Sequence, residues 1–126
     1  MEDEKFYELI DVYRNPPNKG KLEDFDVSEE GYSSTCSDRF TVYIKFDGNK
    51  IKKASFDGVG CVISTISASR LCDALVGKTA EEAQRMTIED IKKLIGVDQI
   101  SISRTKCATI ALETVKNALS KGHMKA

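Results

Sequence analysis

The chain has 126 residues, 40% of them hydrophobic and 31% charged, which is enough for one core and short for two. Nineteen basic against twenty acidic side chains leave a formal charge of -1, without the surplus that neutralising a run of phosphates requires, so nucleic-acid binding is not expected. No apolar run approaches the roughly 20 residues that cross a bilayer, and the acidic start Met1-Glu2-Asp3-Glu4 is unlike a signal peptide, so a cytoplasmic protein without membrane contact is expected.

Taken from the start, Phe6, Leu9, Ile10 and Tyr13 fall at helical spacing within residues 4–14, and Asn15-Pro16-Pro17-Asn18-Lys19-Gly20 must end that helix. A strand is expected at about Val27 to Tyr32. From Phe40 to Phe46 the period is two, with Phe40, Val42, Ile44 and Phe46 on one face and Thr41, Tyr43 and Lys45 on the other, the mark of a half-buried strand. Asp47-Gly48-Asn49 supplies turn chemistry, and residues 50–56 return as a third strand. After Gly58-Val59-Gly60, residues 61–76 form a helix with Ile63, Ser67, Leu71, Ala74 and Leu75 on one side and Gly77 as the stop. Short helices over about 80–86 and 87–95 precede a last helix over about 105–119, where Ala108, Ala111, Leu112, Val115, Ala118 and Leu119 make one stripe. The expected fold is α+β: a single domain with a small antiparallel sheet of about three strands covered by helices, spanning 1–126 with 1–4 and 120–126 frayed.

Charge is uneven. Residues 1–30 hold ten acids and four bases, net -6, and residues 92–126 hold two acids and seven bases, net +5. The two ends can attract each other or form faces for a partner, and a solvated exterior is the plainer reading.

Four cysteines, Cys36, Cys61, Cys72 and Cys107, stand in a chain that shows no sign of export, where thiols serve as metal ligands, reactive groups or core residues rather than disulfides. No CxxC pair exists, so any shared site must be assembled by the fold. Cys36 falls in a loop before a strand, Cys61 at a strand-to-helix junction and Cys107 in the first turn of the last helix. Element termini can converge, and helix amino termini favour thiolate, as does the neighbouring charge of Lys106. Asp38 lies two residues from Cys36 in extended chain, hence on the same side. Three thiolates and a carboxylate suit tetrahedral zinc or a [2Fe-2S] cluster with one displaceable corner; scattered buried cysteines are the competing reading. Cys72 is eleven residues past Cys61, roughly 16 Å along a helix, and belongs to the core. His123, the only histidine, falls past Gly122 in the tail, which argues against a Cys-His hydrolase.

The stretch Phe56-Asp57-Gly58-Val59-Gly60-Cys61-Val62-Ile63-Ser64, continuing to Ser67-Ala68-Ser69, resembles the central motif of the U-type iron-sulfur cluster assembly scaffolds, the family of IscU, SufU and the amino-terminal domain of NifU. Residues 13–20 resemble the family's Asn-Pro-x-Asn-x-Gly segment, Thr35-Cys36-Ser37-Asp38 its Cys-Gly-Asp loop, and Lys106-Cys107-Ala108 its third cysteine motif, in the family's order from about residue 5 to 119. The resemblance implies a scaffold, not an enzyme with turnover chemistry of its own, on which iron and sulfur from a cysteine desulfurase form a [2Fe-2S] cluster for apo-proteins. Zinc would occupy the same ligands, Cys36, Asp38, Cys61 and Cys107, in a monomer or homodimer. Cys107 is the expected persulfide acceptor. The alternative is a zinc-dependent persulfide-sulfur acceptor that activates a cysteine desulfurase; a purely structural zinc domain is the third.

Four departures from the family pattern stand out. Ser37 replaces the usual glycine, which affects the loop's geometry more than its ligands. Lys106 stands where Isc-type scaffolds have histidine and matches the Suf type, yet the Suf-type insertion before the third cysteine is missing. Lysine is protonated at neutral pH and a poor ligand, which leaves Asp38 as the fourth. Residues 100–104 lack the prolines of the Leu-Pro-Pro-Val-Lys chaperone motif, so no dedicated Hsp70 partner is expected, and neither are the further domains of NifU.

Overall fold

The computed structural model describes the backbone of residues 10–16, 18–33, 38–60, 62–96 and 102–125, with side chains except at 33, 38, 62, 102–108 and 121–125. Residues 10–14 are helical (α1). Three strands follow, β1 (Val27–Ser33), β2 (Asp38–Asp47) and β3 (Lys50–Val59), then four helices, α2 (Val62–Leu75), α3 (Ala80–Gln84), α4 (Ile88–Ile95) and α5 (Ile102–Lys125). The α+β architecture is as the sequence indicates, and the strands form one antiparallel sheet in the order β1-β2-β3.

The alternation of β2 decides which face is covered. Phe40, Val42 and Ile44 are buried, while Thr41, Tyr43 and Lys45 point to the other side and are only partly covered. A register shift between Lys45 and Phe46 breaks the phase, so Phe46 is only half-buried. A two-residue connection, Gly48-Asn49, joins Asp47 to its partner Lys50, with Gly48 at φ 66°. β3 extends three residues beyond the expected Phe56, to Val59.

Helices α2 and α5 pack on the buried face, α2 against β3 and α5 against β1, β2 and each other. Leu71, Cys72 and Leu75 of α2 and Ala111, Leu112, Val115, Ala118 and Leu119 of α5 meet Phe40, Val42, Ile44 and Phe56 in one core. Phe40 and Phe56 touch edge to face, centroids 5.7 Å apart. Helix α5 is longer than its apolar stripe at both ends and continues through Gly122 and the 120–125 segment expected to fray.

The helices have a common direction. After α2, Gly77 N donates to Ile51 O at 2.9 Å and Thr79 bridges Lys50, so α2 ends at the hairpin end of the sheet and begins at the opposite end, beside Val59. Gln84 of α3 donates to Lys116 O at 2.8 Å, which holds the carboxy-terminal half of α5 near the hairpin end too. Both α2 and α5 therefore start at the end of the sheet where β1 passes to β2.

Candidate metal centre

That end of the sheet gathers three separate parts of the chain. Ser33 pairs with Asp38 across the β1–β2 connection, and Arg39 pairs with Tyr32 on one side and Val59 on the other. Asp38 is the first residue of β2, and its neighbour in sequence lies directly beside the last residue of β3. Cys36 and Cys61 fall outside the described residues; the described residues that flank them, Ser33 and Asp38, Gly60 and Val62, border this one end.

Cys107 is in the second turn of α5, later than the first turn that the sequence suggested, because the helix begins at Ile102. Its height follows from Thr114, seven residues on and so two turns further along the same side. Thr114 is packed against Gly31 so closely that a Cβ on Gly31 would collide with its hydroxyl. Gly31 is two residues before the end of β1. Two turns back from Thr114, about 10 Å along the axis, brings the backbone of Cys107 to the level of the β1–β2 connection.

Glycines let the β3–α2 junction come this close. Gly58 has φ 134°, and a Cβ there would strike Arg39 O. At Gly60 a Cβ would strike the Phe40 ring and Ser64 Oγ, so the chain passes directly over the end of the core before Cys61. Asp57 steadies the turn by accepting from Gly58 N at 2.9 Å.

The electrostatics follow from the helix directions. Two amino termini, each carrying roughly half a positive charge, face the same end of the sheet, and that field favours thiolate and carboxylate. The donor types proposed there, three thiols and one carboxylate, are those that zinc and iron accept in tetrahedral surroundings. Among the described residues no group of three or more His, Cys, Asp or Glu is poised around an ion.

Cys72 differs. It is 2% exposed, within the α2 face of the core, and burial followed by the neighbouring charge of Asp73 pushes its thiol far above the ordinary range. It lies ten residues past Val62 along α2, in the core, as the sequence indicates.

Sequence reasoning did not find the surface that borders this end. Tyr32 is 59% and Val59 70% exposed, and the Arg39 guanidinium lies 5.5 Å from the Tyr32 ring centroid. The signal was present in the strand parity, since Val59 is out of phase with the core residues Ala54 and Phe56. Among the described residues no helix is long and apolar enough to cross a membrane.

Comparison with known proteins shows the family and the fold. Residues 5–126 match the model of the NifU-like N terminal domain. The chain is 35% identical to the iron-sulfur cluster assembly scaffold protein IscU of Thermotoga maritima, with 90% of each chain covered. It is 34% identical to the zinc-dependent sulfurtransferase SufU of Bacillus subtilis, covering 90% of this chain and 87% of that one. Among solved structures, a candidate scaffold protein for the SUF system from Fervidobacterium islandicum AW-1 superposes with a TM-score of 0.72 at 27% identity, over 88% of this chain and 93% of that one.

Proposed function

Because the chain belongs to the NifU-like N terminal domain family, we propose that it is a scaffold on which iron and desulfurase-derived sulfur are assembled into a [2Fe-2S] cluster that passes to apo-proteins. Cys36, Cys61 and Cys107 are the thiolate ligands in this reading and Asp38 the fourth. The observation that carries it is the shared direction of α2 and α5, which sets two helix amino termini beside the β1–β2 connection and the end of β3.

The chemistry asked of the chain is modest. The Cys107 thiolate attacks the outer sulfur of the desulfurase persulfide, the S–S bond breaks, the desulfurase thiolate leaves and Cys107 carries the persulfide. Two electrons from an external reductant convert that sulfur to sulfide. The neighbouring charge of Lys106 favours Cys107 as thiolate; nothing in the chain turns over, so the protein acts as carrier rather than enzyme. Asp38 supplies a hard oxygen to an iron that prefers sulfur, which leaves one corner easier to displace. Asp38→Ala is expected to retain its cluster longer and deliver it more slowly; equal lifetimes in an anaerobic transfer assay would remove the carboxylate from the account.

A second reading is supported by Lys106 and by the similarity to the Bacillus subtilis protein: zinc sits on the same four ligands, and the protein accepts persulfide sulfur and stimulates the desulfurase without building clusters. Reconstitution under anaerobic conditions with desulfurase, iron and cysteine separates the two. The scaffold reading requires a chain-bound [2Fe-2S] spectrum and activation of an apo-ferredoxin. Faster alanine release by zinc-loaded protein, with no activation by the iron-loaded form, selects the second.

A further inference from the structure

The opposite part of the molecule carries a basic cavity that the cysteine end does not use. Residues 18–22 run beside β3 as a short extra edge, with Phe56 N donating to Asn18 O at 3.0 Å and Gly20 N to Phe56 O at 2.7 Å. Asn18, at φ 68°, ties the segment to α2 through bonds from its side-chain amide to Asp73 Oδ1 at 2.7 Å and Ser69 O at 3.4 Å. Between this segment and β3 lies a cavity of about 340 Å³, whose lining includes Lys19, Lys21, Lys52, Lys53 and Ser55 and no acidic residue. None of the four lysines has an ion-pair partner among the described residues.

Ser55 is the second observation. It sits on the face of β3 away from the core, where alternation would leave it in water, yet it is only 9% exposed and its hydroxyl has no hydrogen-bond partner. Withdrawing an unpartnered hydroxyl from water is unfavourable. A donor without an acceptor, placed in the lining of a cavity with four cations, is arranged for an anion.

We propose that this cavity binds a small molecule through a phosphoryl or diphosphoryl group. Lysine ammonium groups and a hydroxyl are all donors, and a tetrahedral oxyanion offers acceptors in every direction they come from. The volume is at the small end of ligand pockets and exceeds that of a single phosphate, which favours a diphosphate or a phosphorylated small molecule over the free ion. The site is set back from the end of β3: Ser55 and Val59 are separated by four residues of strand, about 13 Å.

The test is an amide-resolved NMR titration of the full chain with inorganic diphosphate, inorganic phosphate and citrate, each against sodium chloride at matched ionic strength. Saturable shifts at residues 18–22 and 52–55 are expected, tightest for diphosphate. Ser55→Ala should weaken diphosphate about tenfold while leaving thermal stability unchanged or raised. Lys52→Gln with Lys53→Gln should weaken it by a similar factor. Three results would overturn the proposal: shifts that sodium chloride reproduces, equal affinity in Ser55→Ala, or citrate binding as tightly as diphosphate. Shifts confined to the cysteine end would show metal removal instead, and count against it as well.

Discussion

Cys72 and Ser55 show how a residue takes its role from depth and neighbours. The Cys72 thiol is packed among Leu71, Leu75 and the sheet, and burial holds it protonated. It should resist iodoacetamide at pH 8 until the chain is unfolded, as mass spectrometry of the labelled peptides would show; labelling in the native state would place it elsewhere. Cys72→Ala should cost roughly 1–2 kcal/mol of stability and leave metal content unchanged. The sequence made Cys72 legible, since eleven residues of helix separate it from Cys61 whatever the packing. Ser55 was not legible. Strand alternation puts it outside, and the cavity it lines is shared with residues 18–22, more than thirty positions away, a segment held to β3 by two backbone bonds that leave no periodic mark.

Among elements, the strands were the most readable, because a period of two with β-branched and aromatic residues has few other meanings. The bounds of α5 were less so. Its apolar stripe reports only the turns that face the sheet, while the helix itself runs from Ile102 to Lys125, through Gly122. The start of α3 is set by a capping box: Glu82 N donates to Thr79 Oγ1 at 3.2 Å and Thr79 N to Glu82 Oε1 at 2.9 Å. The bond from the Thr79 backbone, then that with its side chain, lowers the Glu82 pKa below the ordinary glutamate value. A carboxyl depressed in the folded state stabilises above its unfolded pKa, about 4.3, and the contribution disappears as pH falls through the folded value. Thr79→Ala, which removes the N-cap hydroxyl, should cost about 1 kcal/mol at pH 7. The gap in melting temperature between Glu82→Gln and the parent should close on acidification below about pH 4; a gap independent of pH would show that the carboxylate is not charged in the box.

For the whole molecule, the decisive point is that the described residues by themselves already form a continuous core. Phe40, Val42, Ile44, Phe56, Leu71, Leu75, Val115 and Leu119 bury one another between the sheet and two helices. A chain organised in this way should survive metal removal. Chelation is expected to lower the melting temperature by the binding linkage alone, with far-ultraviolet circular dichroism preserved; unfolding on chelation would instead favour a structural zinc domain. The proposed meeting of Cys36, Asp38, Cys61 and Cys107 is legible in the sequence only as a tendency, because all four are expected at or near the ends of elements. Which ends meet depends on helix direction, and that is set by long-range contacts such as Gly77 with Ile51, Gln84 with Lys116 and Thr114 with Gly31.

The most direct test of the account is metal analysis of anaerobically purified protein and four single variants. The parent and Cys72→Ala should carry the same metal, about one zinc or one two-iron cluster per chain, and Cys36→Ala, Cys61→Ala and Cys107→Ala should each lose most of it. Full metal content in all three of these variants would contradict the site on which the proposed function rests.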